Sequence, residues 1–233
     1  MKTVILAGGR GTRLAPLTSI LPKPLMPIGE RAVLEIIVEQ LAAQGLTDVT
    51  LCVGYLSHLI EAVLNHGRTG GVEITYVREQ EALGTAAPLR LVEGLDATFL
   101  VMNGDVLTTL DYRELVRHHQ KCANTLTIAA HRRRAALDYG VLHLGGADDD
   151  PQRVTAYEEK PETVATVSMG VYVLEPEALQ QVPPDGFFDF PDLVHALLAA
   201  EKRVGAYDYE GFWLDLGRKE DYEAAIREWG VEQ

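Results

Sequence analysis

An apolar run, Met1-Lys2-Thr3-Val4-Ile5-Leu6-Ala7, leads straight into Gly8-Gly9-Arg10-Gly11-Thr12-Arg13-Leu14, and Pro22-Lys23-Pro24 follows after a short gap. The order is that of a buried strand, a glycine-rich turn carrying cations, and a lysine presented by stiff neighbours. Such a device suits a polyphosphate. Glycines let backbone N–H groups approach phosphate oxygens closely, and arginine and lysine neutralise the charge. A bare Gly-x-Gly would be an ordinary strand–loop turn. Three glycines, two arginines and a Pro-Lys-Pro in one short stretch point to phosphates instead.

Two familiar phosphate turns do not fit. No Gly-Lys-Ser/Thr closes the segment, so it is not a P-loop. A dinucleotide turn needs Gly-x-Gly-x-x-Gly, and after Gly9-Arg10-Gly11 the third glycine position holds Leu14. Hydride transfer is therefore a poor match.

At 233 residues the default is one α/β domain with ample chain for a core. The apolar fraction of 47% and charged fraction of 24% suit a soluble globular protein. No apolar stretch reaches the length of a membrane span. Met1 leads directly into a strand, so no signal peptide is expected. Cys52 and Cys122 form no disulfide framework and have no metal spacing, which suggests a reducing, cytoplasmic setting. The net charge of −13 argues against nucleic acid as a partner. An anionic polyphosphate must then be held by a few local cations and a divalent metal.

Helical and strand patterns alternate in the first half. Helices are predicted at Val33–Gln44, at Ser57–Leu64 with Ser57 as N-cap and an end near Gly67, and at Ala86–Val92. Strands are predicted at Val49–Val53, Val72–Val77 and Thr98–Met102. This alternation means βαβ units: a Rossmann-like, mixed but mostly parallel sheet with helices on both faces. After a helix at Tyr112–Gln120 the second half reads as strands at Leu126–Ala130, Gly140–Leu144, Arg153–Tyr157 and Val167–Leu174. Helices near Asp192–Ala200 and Lys219–Trp229 follow, with a strand at Arg203–Tyr207 between them. Gly145 to Pro151, with its run of aspartates, reads as an exposed hairpin loop rather than a metal site.

Phe99-Leu100-Val101-Met102-Asn103-Gly104-Asp105 is an apolar strand ending in a carboxylate. Ligands in open α/β sheets sit beyond the carboxyl ends of the strands, so Asp105 falls where a phosphate-bound metal would lie. Asp215, in Trp213-Leu214-Asp215-Leu216-Gly217, repeats the pattern. Magnesium commonly takes only one or two carboxylates, with phosphates and water completing its shell. In Glu79-Gln80-Glu81-Ala82-Leu83-Gly84-Thr85-Ala86, Gly84 would let a flat ligand come close, and a helix N-terminus would offer free N–H groups.

The full pattern, Gly8 to Leu14 with Pro16-Leu17-Thr18 and Pro22-Lys23-Pro24, resembles the signature of the sugar-1-phosphate nucleotidyltransferases, or nucleoside diphosphate sugar pyrophosphorylases. The resemblance covers essentially the whole chain and implies the nucleotide-diphospho-sugar transferase fold. It implies a nucleotide-binding half over about residues 1–120 and a sugar-phosphate half over about 121–233, with none of the C-terminal β-helix that many relatives carry. It pairs Asp105 and Asp215 as the Mg2+ site. It makes Arg13, Lys23 and Asp105 the catalytic residues, and it lines the nucleotide with Leu6, Ala7, Gly8, Gly9, Gly11, Thr12, Glu79, Gly84, Thr85, Asn103 and Gly104. The Glu-x-Glu-x-Leu-Gly-Thr-Ala form most resembles the mannose-1-phosphate guanylyltransferases. That favours GTP while leaving UTP, dTTP and CTP open.

For the sugar 1-phosphate the resemblance points to Tyr139, Gly140, Glu159, Lys160, Ser168 and Gly170. Glu159 would bind hydroxyls and Lys160 the phosphate, a match of carboxylate to donors and ammonium to anion. Relatives often carry Asn where this chain has Ser168, which loosens the inference about the sugar. Mannose 1-phosphate, a manno-configured heptose 1-phosphate and glucose 1-phosphate all stay in view, as do a monomer and a homodimer. A non-catalytic nucleotide-sugar sensor on the same fold is the contrasting reading, but such relatives would be expected to lose Arg13, Lys23 or a metal aspartate. Three features are read as structural: His118-His119 as a partly exposed pair, His131-Arg132-Arg133-Arg134 as a solvated loop, and Tyr207, Tyr209, Phe212 and Trp213 as packing.

Overall fold

The computed structural model describes residues 1–9, 11–64, 68–69, 71–145 and 152–229. Arg10, the helix end near Gly67 and the acidic segment 146–151 lie outside the described residues. The chain opens with β1 (Lys2–Ala7), the short pair β2 (Pro27–Ile28) and β3 (Arg31–Ala32), and α1 (Val33–Ala43). Next come β4 (Asp48–Val53), α2 (Ser57–Val63), β5 (Arg68–Thr69), β6 (Val72–Arg78), β7 (Phe99–Asn103), β8 (Val106–Thr108) and α3 (Tyr112–Cys122). The second half holds β9 (Leu126–Ala136), β10 (Gly140–Leu144), β11 (Val154–Glu159), β12 (Glu162–Leu174), α4 (Phe190–Ala199), β13 (Val204–Asp208), β14 (Trp213–Asp215) and α5 (Lys219–Glu228).

One eight-stranded sheet runs through both halves in the order β13-β9-β12-β7-β1-β4-β6-β5. The strands β6, β4, β1 and β7 are parallel neighbours, β12 is antiparallel to both β7 and β9, and β13 is parallel to β9. β1 sits at the centre with Val4 and Ile5 fully buried, one on each face. A strand covered on both faces needs a continuous apolar run, which is why Val4-Ile5-Leu6-Ala7 shows no alternation. Ile5 packs in a core with α1, Ile60 of α2, Tyr112 and Leu115 of α3 and Ala225 of α5. Val4 packs in a second core with Leu89 and the Phe190, Leu193 and Leu197 stripe of α4.

Four predicted elements differ from expectation. α2 starts at Ser57, and the residue before it is Leu56 in the left-handed region (φ 55°), so Ser57 does not cap the helix. The helix predicted over Ala86–Val92 is a 3-10 turn, Ala87–Leu91, in which Pro88 removes one backbone donor. β9 and β12 run well past their predicted ends, pairing as far as Ala136 with Glu162. The added stretch is mostly exposed, held by the backbone ladder and by charges such as Arg134 with Glu162 at 3.6 Å. Apolar periodicity cannot register such a strand. It also turns His131–Arg134 from a solvated loop into ladder: Arg133 pairs with Asp221 at 2.7 Å and lies over the Trp213 ring, and Arg132 pairs with Asp208.

His119 is likewise buried completely, not partly exposed. Its Nδ1 meets Thr127 Oγ1 at 2.8 Å and its Nε2 meets Glu175 Oε1 at 3.1 Å, which ties α3 to β9 and to the end of β12.

Candidate active site

β1 ends at Ala7 and delivers the glycine-rich turn to the carboxyl edge of the sheet. Gly11 turns the chain in the left-handed region (φ 61°), and a side chain there would press on Thr18 and Lys23. The Thr18 hydroxyl donates to the Gly11 carbonyl at 2.8 Å, folding the turn back toward Lys23. Gly9 has nothing within 4 Å of where a Cβ would stand, so its backbone faces open space.

The turn lines a cavity of about 450 Å³. Leu6, Ala7, Gly8, Gly9, Gly11, Thr12, Arg13 and Lys23 lie along it, with Glu79, Gly84 and Thr85 after β6, Asn103 at the end of β7, and Gly104 and Asp105 just beyond it. The parallel order of β6, β4, β1 and β7 brings these loops to one edge, because the carboxyl ends of parallel neighbours emerge together.

Asp105 and Asp215, far apart in sequence, are joined by a short ladder. β14 pairs with β8, setting Asp215 opposite Val106, and the Leu216 N–H donates to the Asp105 carbonyl at 3.0 Å. Lys23 sits between them, paired to Asp105 Oδ2 and 3.5 Å from Asp215 Oδ1. Burial pushes the Asp105 carboxyl above the ordinary range; Lys23 opposes that shift and Asp215 adds to it. Asp105 Oδ1 is buried with no hydrogen-bond partner among the described residues. Two hard carboxylates, one with an oxygen left unsatisfied, fit a divalent cation that phosphates and water help to coordinate. No group of three or more metal-binding side chains forms among the described residues.

Arg13 is exposed and has no ion pair among the described residues, unlike Lys23. Glu79 is half-buried after β6. Its carboxylate lies against Gly8, where a Cβ would be 2.3 Å from Oε1, and burial raises its pKa. The left-handed Gly84 (φ 89°) both lines the cavity and leaves room for a neighbouring loop. A Cβ there would be 2.7 Å from the Phe188 carbonyl and 2.9 Å from the Asp189 carboxylate. The N–H groups around it are also taken. Thr85 donates its N–H and hydroxyl to Asp189 Oδ1 at 2.8 and 3.0 Å, and Ala86 and Ala87 donate to the Phe188 carbonyl.

Phe187 and Asp189 also line the cavity, and sequence reasoning missed both. They sit in Pro183-Pro184-Asp185-Gly186-Phe187-Phe188-Asp189, a turn-rich stretch without periodicity. The available signal was a pair of aromatics stranded in such a loop just before a helix.

The sugar-phosphate candidates divide. Gly170 (φ 74°) packs against Asn103, with a would-be Cβ 2.6 Å from Nδ2, and Ser168 accepts from the Gly170 N–H. Tyr139, Gly140, Glu159 and Lys160 stand on the β10–β11 hairpin and the turn after it, and none of them lines the cavity. The Tyr157 hydroxyl donates to Glu159, and Lys160 takes a left-handed conformation (φ 47°).

A family model described as Nucleotidyl transferase matches residues 2–230. The chain belongs to the nucleotidyl transferase family. It is 35% identical to the mannose-1-phosphate guanyltransferase of Saccharomyces cerevisiae and 36% identical to that of Candida albicans, over 95% of its own length in each case. It spans 63% and 62% of the length of those two relatives. Among solved members of the fold, HddC from Yersinia pseudotuberculosis matches with a TM-score of 0.75 at 25% identity, over 98% of this chain and 99% of that one. The same protein has been solved complexed with GMP-PN. A putative glucose-1-phosphate thymidylyltransferase from Bacillus anthracis, in complex with a sucrose, shares the fold at TM-score 0.76 and 22% identity, over 100% and 96% of the two chains. No described helix is long and apolar enough to cross a membrane.

Proposed function

We propose that the chain transfers the guanylyl group of GTP to the phosphate of mannose 1-phosphate or a manno-configured heptose 1-phosphate, with release of pyrophosphate. The observation that carries this reading is Lys23 held between Asp105 and Asp215 beside the glycine-rich turn. A relative's complex with GMP-PN and the guanyltransferase relatives support guanine as the base.

A phosphate oxygen of the sugar 1-phosphate bonds to the α-phosphorus as the bond from that phosphorus to the β-phosphate bridging oxygen breaks. The attacking oxygen is already ionised at neutral pH, so no side-chain base is required. Catalysis is then positioning and charge stabilisation. Arg13, exposed and without an ion pair among the described residues, is assigned to the leaving pyrophosphate, and Lys23 to the α-phosphate as its charge builds. The cation we assign to Asp105 and Asp215 is Mg2+, which when bound supplies positive charge to the nucleotide phosphates. Glu79 suits guanine, whose edge offers N1–H and N2–H donors side by side to a carboxylate. By resemblance, Glu159 takes sugar hydroxyls and Lys160 the attacking phosphate, with Tyr139, Gly140, Ser168 and Gly170 around them. We place the reaction in the cytoplasm, where thiols such as Cys52 and Cys122 stay free.

The test is pyrophosphate release across GTP, UTP, dTTP, CTP and ATP with mannose, heptose and glucose 1-phosphates. GTP with a manno-configured sugar should be turned over fastest. Release with another nucleotide and none with GTP would overturn the reading.

A further inference from the structure

Among the large apolar residues of the cavity wall, Phe187 is left in water: it is 61% exposed, against 7% for Leu83 beside it. Its place is not a loose one. The Phe188 N–H donates to the Leu83 carbonyl at 2.8 Å, and the Phe188 carbonyl accepts from Ala86 and Ala87 at 3.0 Å. Asp189 is held by Thr85, and Phe190 is buried with its ring stacked 4.0 Å from Tyr172. The loop is thus fastened to the Glu79–Thr85 segment on the chain side of Phe187, and Gly84 must be glycine for it to dock. The fastening holds an uncovered aromatic ring at the cavity.

An apolar ring offers nothing to a phosphate, and the groups assigned to the phosphates, Gly8, Gly9, Gly11, Arg13 and Lys23, lie elsewhere on the wall. What a phenyl face can recover by being covered is contact with another flat, weakly hydrated ring. The neighbouring segment supplies the complementary edge: Glu79 is a half-buried carboxylate that accepts and does not donate. A planar ring with N–H groups on its edge satisfies both. We propose that Phe187 stacks on the guanine base of the bound nucleotide, and that the larger overlap with a two-ring base favours purine over pyrimidine nucleotides. This rests on the reading of the cavity as the GTP site.

The test is calorimetric binding of GTP, UTP and inorganic tripolyphosphate, each with Mg2+, to the wild type, Phe187→Ala and Phe187→Tyr. Phe187→Ala should weaken GTP roughly tenfold or more, the usual scale for a lost base–aromatic stack, and UTP less. Tripolyphosphate should bind as before, and Phe187→Tyr should hold GTP within about twofold of wild type, since it keeps the ring. The proposal fails if Phe187→Ala binds GTP like the wild type. It also fails if tripolyphosphate weakens in parallel with GTP, which would mean that the loop has collapsed. A raised KM for the sugar phosphate with GTP affinity unchanged overturns it too, by placing the ring over the sugar. If the wild type itself does not bind GTP, the parent reading is what has failed.

Discussion

Around the cavity, neighbours hold Lys23, Asn103 and Asp215 in place. Gly170 leaves room for Asn103, Gly11 leaves room for Thr18 and Lys23, and the β8–β14 ladder sets Asp215 beside Asp105. The hairpin of β10 and β11 is built otherwise. It forms its own two-stranded sheet, every residue of β11 is exposed, and Tyr139 at its start is 78% exposed. A two-stranded hairpin alone is marginal in water. Lys23, Asp105 and Asp215 are therefore preorganised, while Glu159 and Lys160 stand on a segment with little to fix it. Any binding through them carries the cost of ordering that segment.

The comparison is tested most strongly at Lys23. Lys23→Gln keeps a donor for Asp105 and removes the charge. Turnover should fall about 100-fold or more, the scale of a lost oxyanion donor, with far-UV circular dichroism unchanged. A folded variant within tenfold of wild-type turnover would remove Lys23 from the chemistry and with it the claim that this region is the preorganised one.

Lys160→Ala probes the other region. Removing one charge-assisted contact to a phosphate should raise KM for the sugar 1-phosphate roughly tenfold, with GTP affinity and thermal midpoint unchanged because the hairpin supports neither. An equal loss of GTP affinity would mean that hairpin and cavity act as one unit.

The same contrast explains what could be read in advance. β1, β4, β7 and α1 announce themselves because burial on both sheet faces demands continuous or helical apolar patterns. The glycine-rich turn is legible because phosphate chemistry restricts its residue types. The β9–β12 extension was invisible because exposed ladder strands need no apolar pattern, and Arg132–Arg134 look like a solvated loop until their partners Asp208, Asp221 and Glu162 are brought alongside. The approach of Asp105 to Asp215 could not be read from spacing, because the β8–β14 pairing creates it and Lys23 reaches both from a separate turn. Phe187 and Asp189 were missed for a related reason: the bonds of Thr85 to Asp189 and of Phe188 to Leu83 join segments about a hundred residues apart.

The smallest expected effect lies at the buried end of β9 and β12, opposite their exposed stretch. His119 bridges Thr127 of β9 and Glu175 just past β12, so it fastens the core end of these two strands. Burial holds its pKa below the ordinary histidine value; Glu175 works against that and His118 with it. The unfolded chain therefore takes up this proton at a higher pH than the folded one. The stabilisation that a neutral His119 contributes is complete above about pH 6.5, the unperturbed value, and is lost progressively as pH falls through that value toward the lower folded one. Urea unfolding between pH 7.5 and 5 should show the wild-type midpoint falling faster than that of His119→Gln, which keeps hydrogen-bonding capacity but cannot titrate. Parallel pH profiles for the two proteins would show that the core end of these strands is held by packing alone. A steeper fall in the variant would reverse the sign assigned to the histidine.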